Sequence, residues 1–253
     1  MKQNFRNKKI LITGATSGIG KNILLKMDKV FDNSIFYVVA RNKSKFDNFS
    51  FKLINDFEFI NFDLKNFSSA DELIKKIDFS KIDILINNAG YALSSLPGTT
   101  SNEDVVQLNN VNVIFPTIIM NEFLLKNKDP KSEKILINVG SLAGYFPNHT
   151  DPYYSSSKAF INNLTLSLKK YNEHNSLYIK LFVPGLTHTE FFEKSRYTMS
   201  HKFPRLLGQS PEKAADYLVK NLHTKKYLLV PKLINKIILR LIKIYNIFIW
   251  VLN

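Results

Sequence analysis

The feature that most constrains this 253-residue chain is an alternation of short, largely apolar runs with longer stretches of helical period. Lys9–Thr13, Ser34–Ala40, Glu58–Asn61, Ile82–Asn87, Lys134–Val139 and Leu177–Val183 read as strands. Ile19–Val30, Ser69–Ile77, Glu103–Lys126 and Pro152–Glu173 read as helices. Strands apolar on both faces belong to a parallel sheet covered on each side, and right-handed βαβ crossovers make that a doubly wound fold. The predicted architecture is one α/β domain over residues 1–230, a doubly wound parallel sheet with helices on both faces, followed by an amphipathic helix at 231–253. No Pro/Gly/Ser-rich linker or internal repeat divides it. Ligands of such folds sit beyond the carboxyl ends of the strands, so the residues after each strand are the functional candidates.

Composition narrows the chemistry. The chain has no cysteine, which removes disulfides, thiolate catalysis, cysteine-held zinc and iron–sulfur centres together. Five scattered histidines without metal-ligand spacing point away from a metalloenzyme, and no metal is expected. The net charge is +14, from 35 basic and 21 acidic residues. Lysine supplies most of it, whereas a nucleic-acid reader concentrates arginine on one face; no nucleic-acid partner is expected. The apolar run before Thr13 is too short for a signal peptide, which predicts a cytoplasmic chain.

The first long strand is followed by Thr13-Gly14-Ala15-Thr16-Ser17-Gly18-Ile19-Gly20. Glycines at these positions permit a tight turn, close approach of backbone to an anion and close packing of helix on sheet. Free N–H groups at the helix start then face a pyrophosphate. The spacing Gly-x-x-x-Gly-x-Gly points to one subgroup of dinucleotide folds. At the end of the next strand, where an acidic residue would bond a ribose 2′-hydroxyl, stand Ala40 and Arg41. A guanidinium suits a 2′-phosphate, so the preferred coenzyme reads as NADP(H) over NAD(H). The competing reading makes Arg41 a solvated surface residue.

With these residues stand Asp63-Leu64, Asn87-Asn88-Ala89-Gly90, Asn112, Ser141, Tyr154-Ser155-Ser156-Ser157-Lys158 and Pro184-Gly185. Their order and spacing resemble the short-chain dehydrogenase/reductase family over roughly residues 8–190. The resemblance implies a Rossmann-type NAD(P)-binding fold and interconversion of a carbonyl and an alcohol. It implies that Gly14, Thr16, Ser17, Gly18, Ile19 and Gly20 form the phosphate turn and that Asp63, beside Leu64, bonds the adenine amino group. Asn88, Ala89 and Gly90 would pack beside the nucleotide, and Pro184, Gly185, Thr187 and Thr189 would touch its nicotinamide end. Asn112, Ser141, Tyr154 and Lys158 align with the family's catalytic tetrad. In that tetrad Lys158 would also hold the nicotinamide ribose, and Asn112 would position a proton-relaying water. The family habit implies a homo-oligomer through the helices at 103–126 and 152–173. A dimer is favoured over a tetramer, because the strand and glycine-rich tail usual in tetramers give way here to an apolar helix.

The tetrad also has a physical reading of its own. Tyr154 and Lys158 are four residues apart and share a helix face. A lysine cation at ~5 Å in an effective dielectric of ~20 stabilises a phenolate by ~3 kcal/mol, which would bring the tyrosine near working pH. Tyr154 would then protonate a carbonyl oxygen while Ser141 donates a hydrogen bond to the developing alkoxide. Tyr153 is the rival, but five residues from Lys158 turns it off that face. Phe115-Pro116 follows Asn112 where a small residue is usual, a departure expected to shift the helix locally.

Three segments should border the substrate: 91–100, 142–153 and the long apolar loop 187–209. That loop reads as a lid over an apolar substrate, or else as a patch for a partner. From Lys225 to Asn253 there are six basic residues and no acid. On a helix, Lys232, Lys236, Arg240 and Lys243 share an arc of about 80°, while Ile, Leu and Phe fill most of the rest. Such cations are costly inside hydrocarbon, so the helix is expected to lie on a membrane surface, anchored by Trp250, or else to pack on its own domain or a second copy. The reading is an NADP(H)-dependent oxidoreductase acting on a small, apolar or lipid-like carbonyl or alcohol, cytoplasmic and peripheral to a membrane. The alternative is a catalytically silent NADP(H)-binding scaffold.

Overall fold

A computed structural model describes residues 5–67, 70–93, 98–128, 133–171, 177–189, 191 and 208–252. In chain order the first elements are β1 (Phe5–Arg6), β2 (Lys9–Thr13), α1 (Gly18–Asp28), β3 (Phe31–Asp32), β4 (Ile35–Ala40), α2 (Lys43–Ser50) and β5 (Asp56–Asn61). Next come α3 (Ala70–Lys76), β6 (Ile84–Asn87), α4 (Asn102–Asn109), α5 (Phe115–Lys126), β7 (Lys134–Val139) and α6 (Pro152–Tyr171). The chain continues with β8 (Leu177–Phe182), α7 (Pro211–Lys220), β9 (Leu228–Leu229) and α8 (Leu233–Leu252).

Seven parallel strands form the main sheet in the order β5-β4-β2-β6-β7-β8-β9. The chain builds outward from β2 to β5, then returns to β6 on the other side of β2. The strand order therefore reverses between β2 and β6, where the two following turns splay apart and leave a crevice. A separate parallel pair, β1 with β3, lies outside this sheet.

Alternate side chains of each central strand enter different cores, which explains why these strands are largely apolar, with a few buried polar residues such as Asn138 and Lys180. Ile10 and Ile12 pack with Ile23, Leu24 and Met27 of α1 and with Ala214 and Leu218 of α7. Leu11, between them, joins Leu85, Leu136, Ile119 and Phe123 on the opposite side. Lys43–Ser50 escaped the apolar pattern because it is short and largely polar. Asn42 starts it by accepting a hydrogen bond from the Lys45 N–H, and Phe46 and Phe49 bury its inner face.

Two expectations need correction. The predicted helix over Glu103–Lys126 is interrupted: Asn110–Ile114 forms a π-helical turn between α4 and α5. Pro116 at the start of α5 lacks an N–H, so it cannot continue the ordinary ladder. The C-terminal region also supplies a seventh strand, β9, paired in parallel with Leu181 and Phe182 of β8. Two residues are too short a run to show any period. The predicted C-terminal helix is present as α8. Most of the predicted lid, residues 190 and 192–207, lies outside the described residues.

Candidate active site

A cavity of about 300 Å³ opens along the carboxyl ends of β2, β4, β6, β7 and β8. The turn after β2 forms one wall. Gly14 and Gly18 have φ of +69° and +54°, left-handed values that favour glycine. A Cβ at Gly14 would stand 2.8 Å from the Ala89 Cα, so the turn after β2 fits directly against that after β6. Thr13 ties the two together: its hydroxyl oxygen accepts from the N–H groups of Asn88 and Ala89 at 3.1 and 3.0 Å. Asn88 answers with its amide, donating to the carbonyls of Thr13 and Gly14. Ser17 starts α1 without a side-chain cap, leaving the first turn of the helix open toward the cavity.

Further along the wall lie Thr16, Ile19 and Gly20, then Arg41 after β4, and Asp63 and Leu64 after β5. Arg41 is exposed. The Asp63 carboxylate accepts from the Lys65 N–H at 3.0 Å. Gly90, Ser141, Tyr154, Lys158, Pro184, Gly185, Thr187 and Thr189 complete the lining. Every residue predicted to bind coenzyme thus lines one cavity.

The catalytic candidates meet at its inner end. The Tyr154 phenol and the Ser141 hydroxyl both line this end, and the Tyr154 ring lies 5.6 Å from that of Phe191. Lys158 is buried and donates to the Val139 carbonyl at 3.0 Å. Asn112 is buried behind this group rather than lining the cavity. Sitting in the π-helical turn, its amide accepts from the Tyr91 N–H at 3.0 Å and donates to the Tyr91 carbonyl at 2.9 Å. It also donates to the Ser157 hydroxyl at 3.0 Å, tying the turn after β6 to α6. A Cβ at Gly90 would meet both the Asn112 Oδ1 and the Lys158 Nζ, 3.2 and 3.3 Å away. Tyr153 does not line the cavity.

The electrostatics overturn one expectation. Burial pushes the Tyr154 phenol up to about 12; the Ser141 hydrogen bond opposes this and the Asp151 charge adds to it. Lys158 does not bring it near working pH. Its ammonium turns to the Val139 carbonyl, 5.9 Å from the Tyr154 ring centroid. Burial lowers Lys158 itself to about 8. Equal helical spacing put the two on one face, but the shared low-dielectric pocket penalises both charged forms.

Sequence reasoning missed several supporting groups. Asn162, one turn beyond Lys158, is buried and donates to the Ser141 carbonyl at 2.9 Å, fixing the strand end that carries the serine. Asp151 accepts from the Tyr154 N–H at 3.2 Å and is 3% exposed. A buried carboxyl with burial as the largest influence rises to about 7. Phe62, Lys65, Tyr91 and Phe191 also line the cavity. The YxxxK spacing gave the line along which Asn162 lies, but no signal marked its partner.

Residues 8–200 match the family model described as short chain dehydrogenase. An NADP-dependent 3-hydroxy acid dehydrogenase of Schizosaccharomyces pombe is 31% identical over 191 residues, 73% of each chain. A Caenorhabditis elegans relative is 29% identical over 190 residues, 71% of this chain, which spans only 60% of that longer protein. Among solved structures, a Sphingobium yanoikuyae short-chain dehydrogenase in complex with NADPH superposes with a TM-score of 0.78 at 22% identity, covering 89% of this chain and 88% of that one. A Burkholderia phymatum short chain dehydrogenase/reductase in complex with NAD gives 0.76 at 17% identity, covering 94% and 93%.

Proposed function

The chain belongs to the short chain dehydrogenase family of oxidoreductases, and from that we propose an NADP(H)-dependent enzyme that interconverts a carbonyl and an alcohol on a small, apolar substrate. The observation carrying this reading is the convergence of Ser141, Tyr154 and Lys158 at the inner end of a cavity whose outer wall is the glycine turn. The residues present fit an adenine dinucleotide. The left-handed glycines let backbone approach a pyrophosphate at the uncapped start of α1. Asp63, which lines the cavity, would bond the adenine, and the exposed Arg41 guanidinium suits a 2′-phosphate. Pro184, Gly185, Thr187 and Thr189 would hold the nicotinamide end near Tyr154. When bound, the reduced nicotinamide supplies the hydride.

The protein's own part is proton transfer and orientation. A phenol with a pKa of about 12 is fully protonated at neutral pH, the form required to give a proton to a carbonyl oxygen. Ser141, which lines the same end of the cavity as Tyr154, would donate to the same oxygen as charge develops there. Lys158, acidified by burial, returns a proton to the phenolate more readily than an exposed lysine would. Asn112 acts through Tyr91 and Ser157, holding the turn after β6 and α6 in register.

We assign catalysis to residues 1–230, with 231–253 as an appended helix, a cytoplasmic home and a homodimer. The purified full chain with NADPH and a panel of apolar ketones tests the activity. Turnover should appear in the native chain and fall by about 10²–10⁴-fold in Tyr154→Phe, with stabilisation by NADPH retained. Unchanged turnover in that variant would remove Tyr154 as the acid. NADPH stabilisation without turnover on any carbonyl would leave the binding scaffold.

A further inference from the structure

The C-terminal helix α8 (Leu233–Leu252) carries two functional faces on opposite sides. One is turned to the domain: Asn235 and Leu239 are buried, and Leu239 joins Leu181, Val183 and Val230 in a small core. At about 100° per residue, Leu233, Ile237, Leu241 and Ile244 occupy an arc of about 80° diametrically across from that pair. These four are 72%, 43%, 60% and 64% exposed. The domain therefore does not consume the helix's apolar surface. Along one border of the exposed face run Lys236 and Arg240, both exposed, while Lys232 donates to the Gly208 carbonyl on the domain side. No acidic residue follows Asp216 in the sequence.

We propose that this exposed face docks on an anionic lipid bilayer, with the helix lying in the interfacial plane. The pairing of a wide apolar face with a flanking cationic stripe is what an anionic interface satisfies in both parts. No described helix is long and apolar enough to cross a membrane. A second copy is a poorer occupant: two-fold pairing of α8 on itself would set one cationic stripe against another, with no acid on the helix to answer it. The beginning of α8 also adjoins the active site. The Asn235 amide donates to the Pro184 carbonyl at 3.3 Å, and the small core includes Leu142 and Tyr145, just beyond Ser141. Docking thus sets the helix that adjoins the cavity on the lipid surface, and the substrate that suits this arrangement is a carbonyl compound dissolved in the bilayer. That consequence rests on the proposed oxidoreductase activity; docking itself does not.

Co-sedimentation of the full chain with vesicles tests it, using phosphatidylcholine alone or mixed with phosphatidylglycerol. Binding should require phosphatidylglycerol, weaken with salt, and fall on the order of tenfold in Lys236→Gln/Arg240→Gln. Ile237→Ser/Leu241→Ser should lose it while unfolding at the native temperature. Equal binding to both vesicle types, no binding, or binding indifferent to the serine substitutions would overturn the proposal. So would sedimentation velocity showing a dimer that those substitutions split, which would give the face to a second copy. Turnover separates the two claims. A long-chain ketone held in anionic vesicles should be reduced more slowly by the serine variant, and a water-soluble ketone at the native rate. Vesicle binding without any NADPH-dependent turnover would sink the activity and leave docking intact.

Discussion

Asp151 shows how one buried side chain links a helix end to pH. It precedes Pro152 at the start of α6 and accepts from the Tyr154 N–H, so it caps the helix that carries Tyr154 and Lys158. Burial raises its pKa from 3.8 to about 7. A carboxyl that binds its proton more tightly when folded contributes most to stability below its unfolded value. That contribution is lost as pH rises from about 4 through about 7. Asparagine caps nearly as well and carries no charge, so Asp151→Asn should gain stability relative to the native chain at pH 8 and gain little at pH 4. Urea midpoints at the two pH values check this; a difference independent of pH would show that the buried charge is not its source. At this scale the sequence marked the groups proposed to do chemistry, because Tyr154 and Lys158 announce themselves by a four-residue spacing. Asp151, Thr13 and Asn162 act by meeting partners brought from other strands and turns, or by being buried, and no local spacing encodes that.

Between elements, one tight joint is where the turn after β8 meets α8. Gly185 has φ of +73°, and a Cβ there would collide with the Asn235 side chain. Gln209 also donates to the Pro184 carbonyl, and Lys232 donates to the Gly208 carbonyl at 2.6 Å. The turn facing the proposed nicotinamide end is thus held by residues from the C-terminal quarter of the chain. Gly185→Ala should destabilise by about 1–3 kcal/mol from the left-handed backbone, with the collision adding to it. Asn235→Ala removes the colliding group, so the double variant should be more stable than the sum of the single changes implies. A double-mutant cycle on urea midpoints measures that coupling, and strict additivity would mean the two do not meet. This joint was invisible in sequence because Gly185 and Asn235 lie fifty residues apart. The same holds for the break in the predicted helix over 103–126. Pro116 signalled a disturbance there, but only the fold reveals that the π-helical turn carries Asn112 to the Tyr91 backbone.

Across the whole molecule, the alternation of apolar runs was enough to read the doubly wound sheet, because a strand buried on both faces must be mostly apolar, and buried exceptions such as Asn138 and Lys180 carry hydrogen-bond partners. The same logic pointed to the carboxyl ends of the strands as the ligand side, and the strand order then sets the glycine turn and the Asn88-Ala89-Gly90 turn at its reversal. On the proposed function, preference between coenzymes is a property of that assembled wall and turns on Arg41. A ligand that binds only the native state stabilises it by about 2.7 kcal/mol at a hundred times its dissociation constant. For a domain of this size that is a rise in melting temperature of about 5–10 °C. NADPH should produce such a rise at concentrations where NADH produces little. Arg41→Ala removes the cation facing the 2′-phosphate while leaving the glycine turn, Asp63 and the joint at Gly185 in place. It should therefore weaken NADPH by about 1.5–3 kcal/mol, the scale of a hydrogen bond to a charged group, and leave NADH unchanged. The melting temperatures of both chains with each coenzyme decide it. Equal shifts by NADPH and NADH in the native chain would make Arg41 a solvated residue and leave the fold and the tyrosine chemistry untouched. A loss of both shifts in Arg41→Ala would instead mean that the guanidinium supports the wall itself.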